Sequence, residues 1–206
     1  MQLPVLPSPL SDALETGGLP AALVEGLAAA LGGHGRVMSD RHNRMLYATD
    51  ASMYQVEPLA VVVPIDAEGV ETAVGWCGRN GVAVLPRGGG TSLAGQCTNR
   101  AVVVDTSAAM RGVGPVESAS VWAEAGCTID EINNELARRG AGLFFAPDPA
   151  TTAQACVGGC IGNNASGSRS IKYGRTVDSL LAIDAVLSNG ERVVFEPGAG
   201  RATRLR

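Results

Sequence analysis

The chain predicts a mixed fold, α+β / α/β, built around a partly parallel sheet. Three observations carry this. The runs Leu59–Val63, Val82–Leu85 and Ala101–Asp105 are short, apolar and rich in β-branched residues, as buried strands are. Between the first two lies a stretch with the apolar spacing of a helix: Asp66 stands as cap, Val70, Ala73, Val74 and Cys77 share one face, and Gly81 follows Asn80 as a stop. Between the last two lies a glycine-rich loop, PRGGGTSLAGQ, from Pro86 to Gln96. Strand, helix, strand, loop, strand is the order of an α/β unit.

The flanking elements follow in order. Residues 1–19 are rich in Pro, Gly and Ser and read as a loose lead-in. PAALVEGLAAAL, residues 20–31, reads as a short apolar helix stopped by Gly32 and Gly33. Residues 34–57 read as irregular and polar. After the third strand, Ser120–Glu124 alternates like a strand. Thr128 to Arg139 reads as an amphipathic helix opened by a capping box, with Glu131 three residues after Thr128, and ended by Gly140. A second glycine-rich segment, residues 158–167, reads as a loop. A hairpin closes the pattern: Leu180–Leu187, a turn at Ser188-Asn189-Gly190-Glu191, then Arg192–Phe195. The tail EPGAGRATRLR reads as unstructured. This divides the chain into a lead-in (1–45), a first subdomain (46–115) and a second (116–206).

Composition narrows the function. With 206 residues, 46% hydrophobic and 17% charged, the chain forms a core. A net charge of −4 gives no electrostatic case for nucleic acid. No apolar run reaches the ~20 residues of a membrane span, and the proline-broken N-terminus does not read as a signal peptide. A cytoplasmic location is expected, with membrane-peripheral attachment of a complete enzyme as the variant. The five cysteines are an odd number, widely spaced, and read as buried thiols of a reducing compartment. Cys156 and Cys160 lack a zinc spacing and a nearby histidine, so no metal is expected.

The glycine loops carry the chemistry. The only lysine, Lys172, lies far from the first loop, which excludes a Walker A motif. GxGxxG is absent, which excludes the Rossmann fingerprint. Ser92 is followed two positions on by Ala94, not glycine, which excludes the hydrolase elbow. What remains is an anion nest flanked by the hydroxyls of Thr91 and Ser92. The second segment, VGGCIGNNASGS, adds four glycines, two amides and two serines. Two such segments suit a long ligand with a diphosphate, a dinucleotide more than a mononucleotide.

These motifs, in the order PRGGGTSLAGQ, APDP, CVGGCIGNNASGS and KYGRTVDSLL, resemble the FAD-binding domain of the vanillyl-alcohol oxidase / p-cresol methylhydroxylase family, a two-subdomain PCMH-type fold. Within it, TDASMYQVEPLAVVVP is similar to bacterial FAD-linked dehydrogenases of D-2-hydroxy acids, some fused to an iron–sulfur region. The resemblance implies that Pro86, Arg87, Gly88, Gly89, Gly90, Thr91, Ser92, Gly95 and Gln96 form the loop that cradles the FAD pyrophosphate. It implies that Pro147 and Asp148 lie beside the flavin. It implies that Gly158, Gly159, Ile161, Gly162, Asn163, Asn164, Ser166 and Gly167 line the isoalloxazine and ribityl chain. Thr91 stands where some relatives carry a flavin-linked histidine, so the expected FAD is non-covalent.

Other polar residues are read locally. Arg175 and Asp178 are read as a local ion pair, not as catalytic groups. Asp50, Ser52 and Tyr54 either contact adenine or brace the first strand. His34 and His42 fall outside the flavin motifs. The family's later GSEGTLG-type segment and its substrate cap, with the catalytic histidine, are not in this sequence. The fold is therefore expected to be incomplete at the C-terminus, with no catalytic residue assigned, weak FAD binding and no oxidation of a small 2-hydroxy acid by this chain alone. A stand-alone FAD module and an inactive remnant are the alternatives.

Overall fold

The computed structural model describes residues 17–196 and 203–204. The first unit contains a four-stranded sheet in the order β1-β2-β4-β3, formed by Gly35–Met38 (β1), Ala60–Pro64 (β2), Val84–Arg87 (β3) and Val102–Asp105 (β4). β2, β4 and β3 run parallel, and β1 pairs antiparallel to β2. Helices Ala21–Leu31 (α1) and Ala67–Arg79 (α3) contribute to one core with Ala60, Val62, Val102 and Val104; Val61, Val63 and Val103 form another with Met38, Tyr47 and Leu85. Burial on both faces explains why β2 and β4 read as continuous apolar runs rather than alternating ones.

Several expected elements take the expected form. Asp66 caps α3 by accepting the Gly69 N–H at 2.8 Å. Helix Ile129–Arg138 (α4) opens with a complete capping box: the Glu131 N–H donates to Thr128 Oγ1 at 3.2 Å, and the Thr128 N–H to the Glu131 carboxylate at 2.9 Å. Ile183–Val186 (β7) and Arg192–Phe195 (β8) form the antiparallel hairpin.

Other stretches differ from the sequence reading. Residues 34–57 are not irregular throughout: β1 forms the sheet edge, and Arg41–Leu46 (α2) is a helix capped by Asp40. The expected lead-in lies outside the described residues up to position 16. From Gly17 onward it is tied down, with the Leu19 N–H bonded to the Leu59 carbonyl at 2.9 Å. Buried Arg44 donates to the carbonyls of Gly17, Ser39 and Pro58 and pairs with Glu57 at 3.0 Å, which fastens α2 and the entering chain to the start of β2. Val113–Glu117 (β5) pairs with Ser120–Ala123 (β6), a strand the sequence did not announce because Gly114 and Pro115 interrupt it. Part of the tail read as unstructured, Thr203–Arg204 (β9), pairs with β8. Residues 197–202 and 205–206 lie outside the described residues.

Apart from the core on the two faces of the sheet, a second core gathers Cys127, Ile129, Ile132, Leu136, Val157 and Cys160. The β7–β8 hairpin docks on α3. A methyl group at Gly190 would approach the Gly75 Cα at 2.6 Å, and Arg192 bridges Asp184 of its own hairpin and Glu71 of α3. The β5–β6 turn places two non-glycine residues, Ser118 (φ 48°) and Ala119 (φ 62°), in left-handed backbone. Each such residue costs roughly 1–2 kcal/mol.

Two predictions follow from local geometry. Ala119→Gly removes the turn's steric conflict and should stabilise the chain by about 1 kcal/mol, read as a rise of about 2–4 °C in melting midpoint; an unchanged or lower midpoint contradicts the turn. His34 Nδ1 sits 2.8 Å from Asp66, with Nε2 3.6 Å from Glu68. The Asp66 hydrogen bond raises His34 above its ordinary 6.5, and the His34 bond lowers Asp66 below its ordinary 3.8. The histidine's contribution is full below 6.5 and is lost as pH rises through its raised value. The aspartate's is full above 3.8 and is lost as pH falls through its lowered value. His34→Ala should therefore lower the melting midpoint more at about pH 5 than at about pH 8; an equal or reversed loss overturns the contact.

Candidate cofactor-binding site

The first glycine loop leaves the C-terminal end of β3, the sheet end at which open α/β folds bind ligands. Its conformation is held from below. The Arg87 guanidinium donates to the carbonyls of Tyr47 (3.2 Å), Cys97 (2.9 Å) and Thr49 (2.8 Å) and lies 5.3 Å from the Tyr47 ring centroid. The Tyr47 hydroxyl donates to buried Asp105 at 2.7 Å; burial, with that bond, pushes its pKa up to about 12. Asp50 accepts the Ser52 N–H at 2.9 Å and the Cys97 N–H at 3.2 Å. Partial burial opposes its charge, but these bonds outweigh it and hold the carboxyl below its usual range. Tyr54 lies against Gly95, where an added methyl would come within 2.6 Å of the ring. The TDASMYQ segment thus braces the loop in addition to preceding β2.

Within the loop, Ser92 Oγ accepts from the Ala94 and Gln96 N–H groups and donates to the Gln96 side chain at 2.9 Å, so both side chains serve the turn. The N–H groups of Gly90 and Thr91 find no acceptor among the described residues. The N–H groups of Gly88, Leu93 and Gly95 likewise find no acceptor among the described residues, so the loop offers several anion donors.

The second glycine segment is a helix, not a loop: Val157–Asn163 (α5), ended by Asn164 in the left-handed region at φ 46°. Three glycines disfavour a helix by roughly 1 kcal/mol each. Packing offsets this, because Val157 and Cys160 are buried and Ile161 is half-buried against the second core. That apolar i, i+3, i+4 spacing was the available helix signal. Ile161 packs, half-buried, against the core. Gly158 packs on Ala125, and the Asn164 side chain accepts the Val177 N–H at 3.1 Å. Gly159, Gly162 and Asn163 are exposed, and a methyl at either glycine would meet nothing.

The two segments meet. A methyl at Gly88 would lie 2.9 Å from Cys156 Cβ, and one at Gly89 would collide with the Gln154 carbonyl. Cys156 is the residue that opens α5. Pro147 is buried, and Asp148 fastens the end of the second segment by accepting the Ser168 hydroxyl (2.7 Å) and the Arg169 N–H (2.8 Å), with the Arg169 guanidinium at 3.6 Å. These bonds, led by the Arg169 N–H, lower its pKa. Gly167 packs against Asp148, and Ser166 is exposed.

The remaining candidates are structural. Arg175 and Asp178 do not form a side-chain ion pair among the described residues; the Arg175 backbone N–H donates to the Asp178 carboxylate at 2.7 Å and caps a short 3₁₀ turn. Burial raises the thiols of Cys77, Cys127 and Cys160 to about 11, so they are protonated at neutral pH. An open depression of about 600 Å³ lined by Val113, Gly114, Pro115, Val116, Arg139 and Ala141 belongs to the β5 edge and includes none of the glycine-segment residues. No helix is long and apolar enough to cross a membrane among the described residues.

Unpaired loop N–H donors and an exposed glycine face on the helix that the loop packs against suit an anion joined to a flat group. The comparisons agree with that chemistry. A family model for an FAD binding domain matches residues 58–196. The chain is 38% identical over 167 residues to a D-2-hydroxyglutarate dehydrogenase of Pseudomonas putida, over 79% of this chain and 16% of that protein. It is 30% identical over 150 residues to glycolate oxidase subunit GlcD of Bacillus subtilis, over 72% of this chain and 32% of that protein. The chain thus spans well under half the length of these relatives. Among solved structures, an alkyldihydroxyacetonephosphate synthase superposes with TM-score 0.73 at 22% identity, over 88% of this chain and 35% of that one. A xylooligosaccharide oxidase from Myceliophthora thermophila C1 superposes with TM-score 0.72 at 24% identity, over 85% and 37%. Matched by the family model over more than half its length, the chain belongs to the FAD binding domain family and has the PCMH-type fold.

Proposed function

We propose that the first loop and α5 together hold FAD non-covalently, as the dinucleotide platform of an oxidoreductase that oxidises a D-2-hydroxy acid. The observation that carries this reading is that the two glycine-rich segments meet, with Gly88 and Gly89 packed against Gln154 and Cys156 at the start of α5. Gly90 and Thr91 offer free N–H donors, and Gly159 and Gly162 offer helix backbone bare of side chains. The loop donors fit a diphosphate, which nests of backbone N–H groups recognise. The bare face of α5 fits a planar ring system, with exposed Asn163 beside it to orient a polar edge. Thr91 offers no nucleophilic ring nitrogen for a flavin link, which supports non-covalent attachment.

When bound, the flavin supplies a hydride acceptor for an alcohol donor. The residues of this chain bind and orient it. We assign neither Asp148 nor Asp178 as a proton acceptor, because each carboxylate is engaged by local donors. The base, the substrate-anchoring groups and any iron–sulfur electron path are proposed to lie in sequence outside the aligned sixth of the dehydrogenase relatives. The substrate class rests on those relatives alone.

Gly159→Ala separates folding from binding. The methyl enters open space and improves helix propensity by about 1 kcal/mol, so the melting midpoint should hold or rise. It also projects where the flavin is placed, so FAD affinity, followed by flavin fluorescence, should fall about tenfold or more. Binding equal to wild type overturns the placement.

A further inference from the structure

Arg87 is the cation nearest the proposed diphosphate donors in sequence, yet its guanidinium is spent inside the fold. We infer that Arg87 is a positioning residue that shapes the loop before any ligand arrives, and not a phosphate ligand. The inference rests on the FAD reading for its consequence and on geometry for its substance.

One planar guanidinium closes three chain segments into a ring. Its Nη1 donates to the carbonyls of Tyr47 and Cys97 and its Nη2 to that of Thr49, with the Tyr47 ring alongside. Gly90 rests on it: a methyl there would lie 2.6 Å from Nη2, and the Gly90 backbone adopts φ 65°. The Ala51 N–H then pins the Gly90 carbonyl at 3.0 Å. Asp50 closes the ring from the opposite pole by accepting the Cys97 N–H. Both ends of the loop and its Gly90 apex are thereby fixed, and the N–H groups of Gly90 and Thr91 are left without an internal acceptor among the described residues. Orienting donors before binding removes an ordering cost from the binding step. Lysine cannot substitute, because one ammonium lacks the planar fork that meets divergent carbonyls.

The test uses this 206-residue chain, its Arg87→Ala variant and its Arg87→Lys variant. Hydrogen exchange without FAD reads the amides of Ala51 and Cys97, with α4 as the reporter of global folding. Both amides should exchange faster in each variant while α4 is unchanged. FAD affinity should fall about tenfold in Arg87→Ala, without rescue by Arg87→Lys, and the salt dependence of binding should keep its wild-type slope. Unchanged exchange, a shallower salt slope or full rescue by lysine overturns the inference and makes Arg87 a phosphate ligand. If Arg87→Ala unfolds α4, the lysine variant carries the exchange comparison. If the wild-type chain takes up no FAD, the FAD reading fails, while the exchange data still decide the positioning role.

Discussion

The site depends on one close approach of backbones, that of Gly88 and Gly89 to the Gln154–Cys156 segment. Any side chain at Gly89 would occupy the space of the Gln154 carbonyl. The contact seats the loop that follows β3 at the start of α5. It therefore joins the sheet to the second core, which lies under α5. The sheet supplies rigidity on one side: β4 is buried along its whole length and pairs with both β2 and β3. The second core supplies it on the other, through Val157 and Cys160 on the inner face of α5. Glycine also serves as a docking surface at Gly75 and Gly190, where the closing hairpin meets α3.

The polar side chains around the site serve mainly to place backbone. Arg87 and Asp50 arrange the segments at the base of the first loop, and Ser92 and Gln96 hold its turn. Asp148 holds the end of the second segment, and Asn164 holds the 3₁₀ turn that follows. A platform of this kind presents main-chain donors and bare glycine, with side chains in second place. That suits a large cofactor whose own chemistry drives the reaction. It also explains why the buried cysteines need no chemical role: Cys156 packs against Gly88 of the loop, and Cys160 fills space in the second core.

Much of the fold was legible because the strongest local signals coincide with the core. The runs of β2 and β4 are apolar on both faces, the Thr128–Glu131 box is a complete local motif, and the Asn189-Gly190 turn marks its hairpin. Short elements stabilised only by their neighbours were not legible. β1 is a four-residue edge strand, β5 contains Gly114 and Pro115, and α2 rests on the Asp40 cap and buried Arg44. The glycines of α5 masked its helical spacing. The glycine-rich motifs located the site, but sequence alone treated all their residues as ligand-facing. The structure divides them: Gly88, Gly158, Ile161 and Gly167 are partly buried against neighbouring segments, Gly89 is exposed but abuts the Gln154 carbonyl, and Gly159, Gly162 and Asn163 are exposed. That division arises from tertiary contacts distant in sequence, which no local pattern encodes.

The central claim is that one ligand lies across both segments. It is tested most directly by titrating the isotope-labelled chain with FAD while following backbone amide resonances. The account predicts that the amides of Gly90 and Thr91 shift together with those of Gly159 and Gly162, with one common midpoint, while amides of the β5–β6 hairpin stay in place. Shifts confined to one segment, or two segments responding with separate midpoints, would contradict a single site spanning the loop and α5.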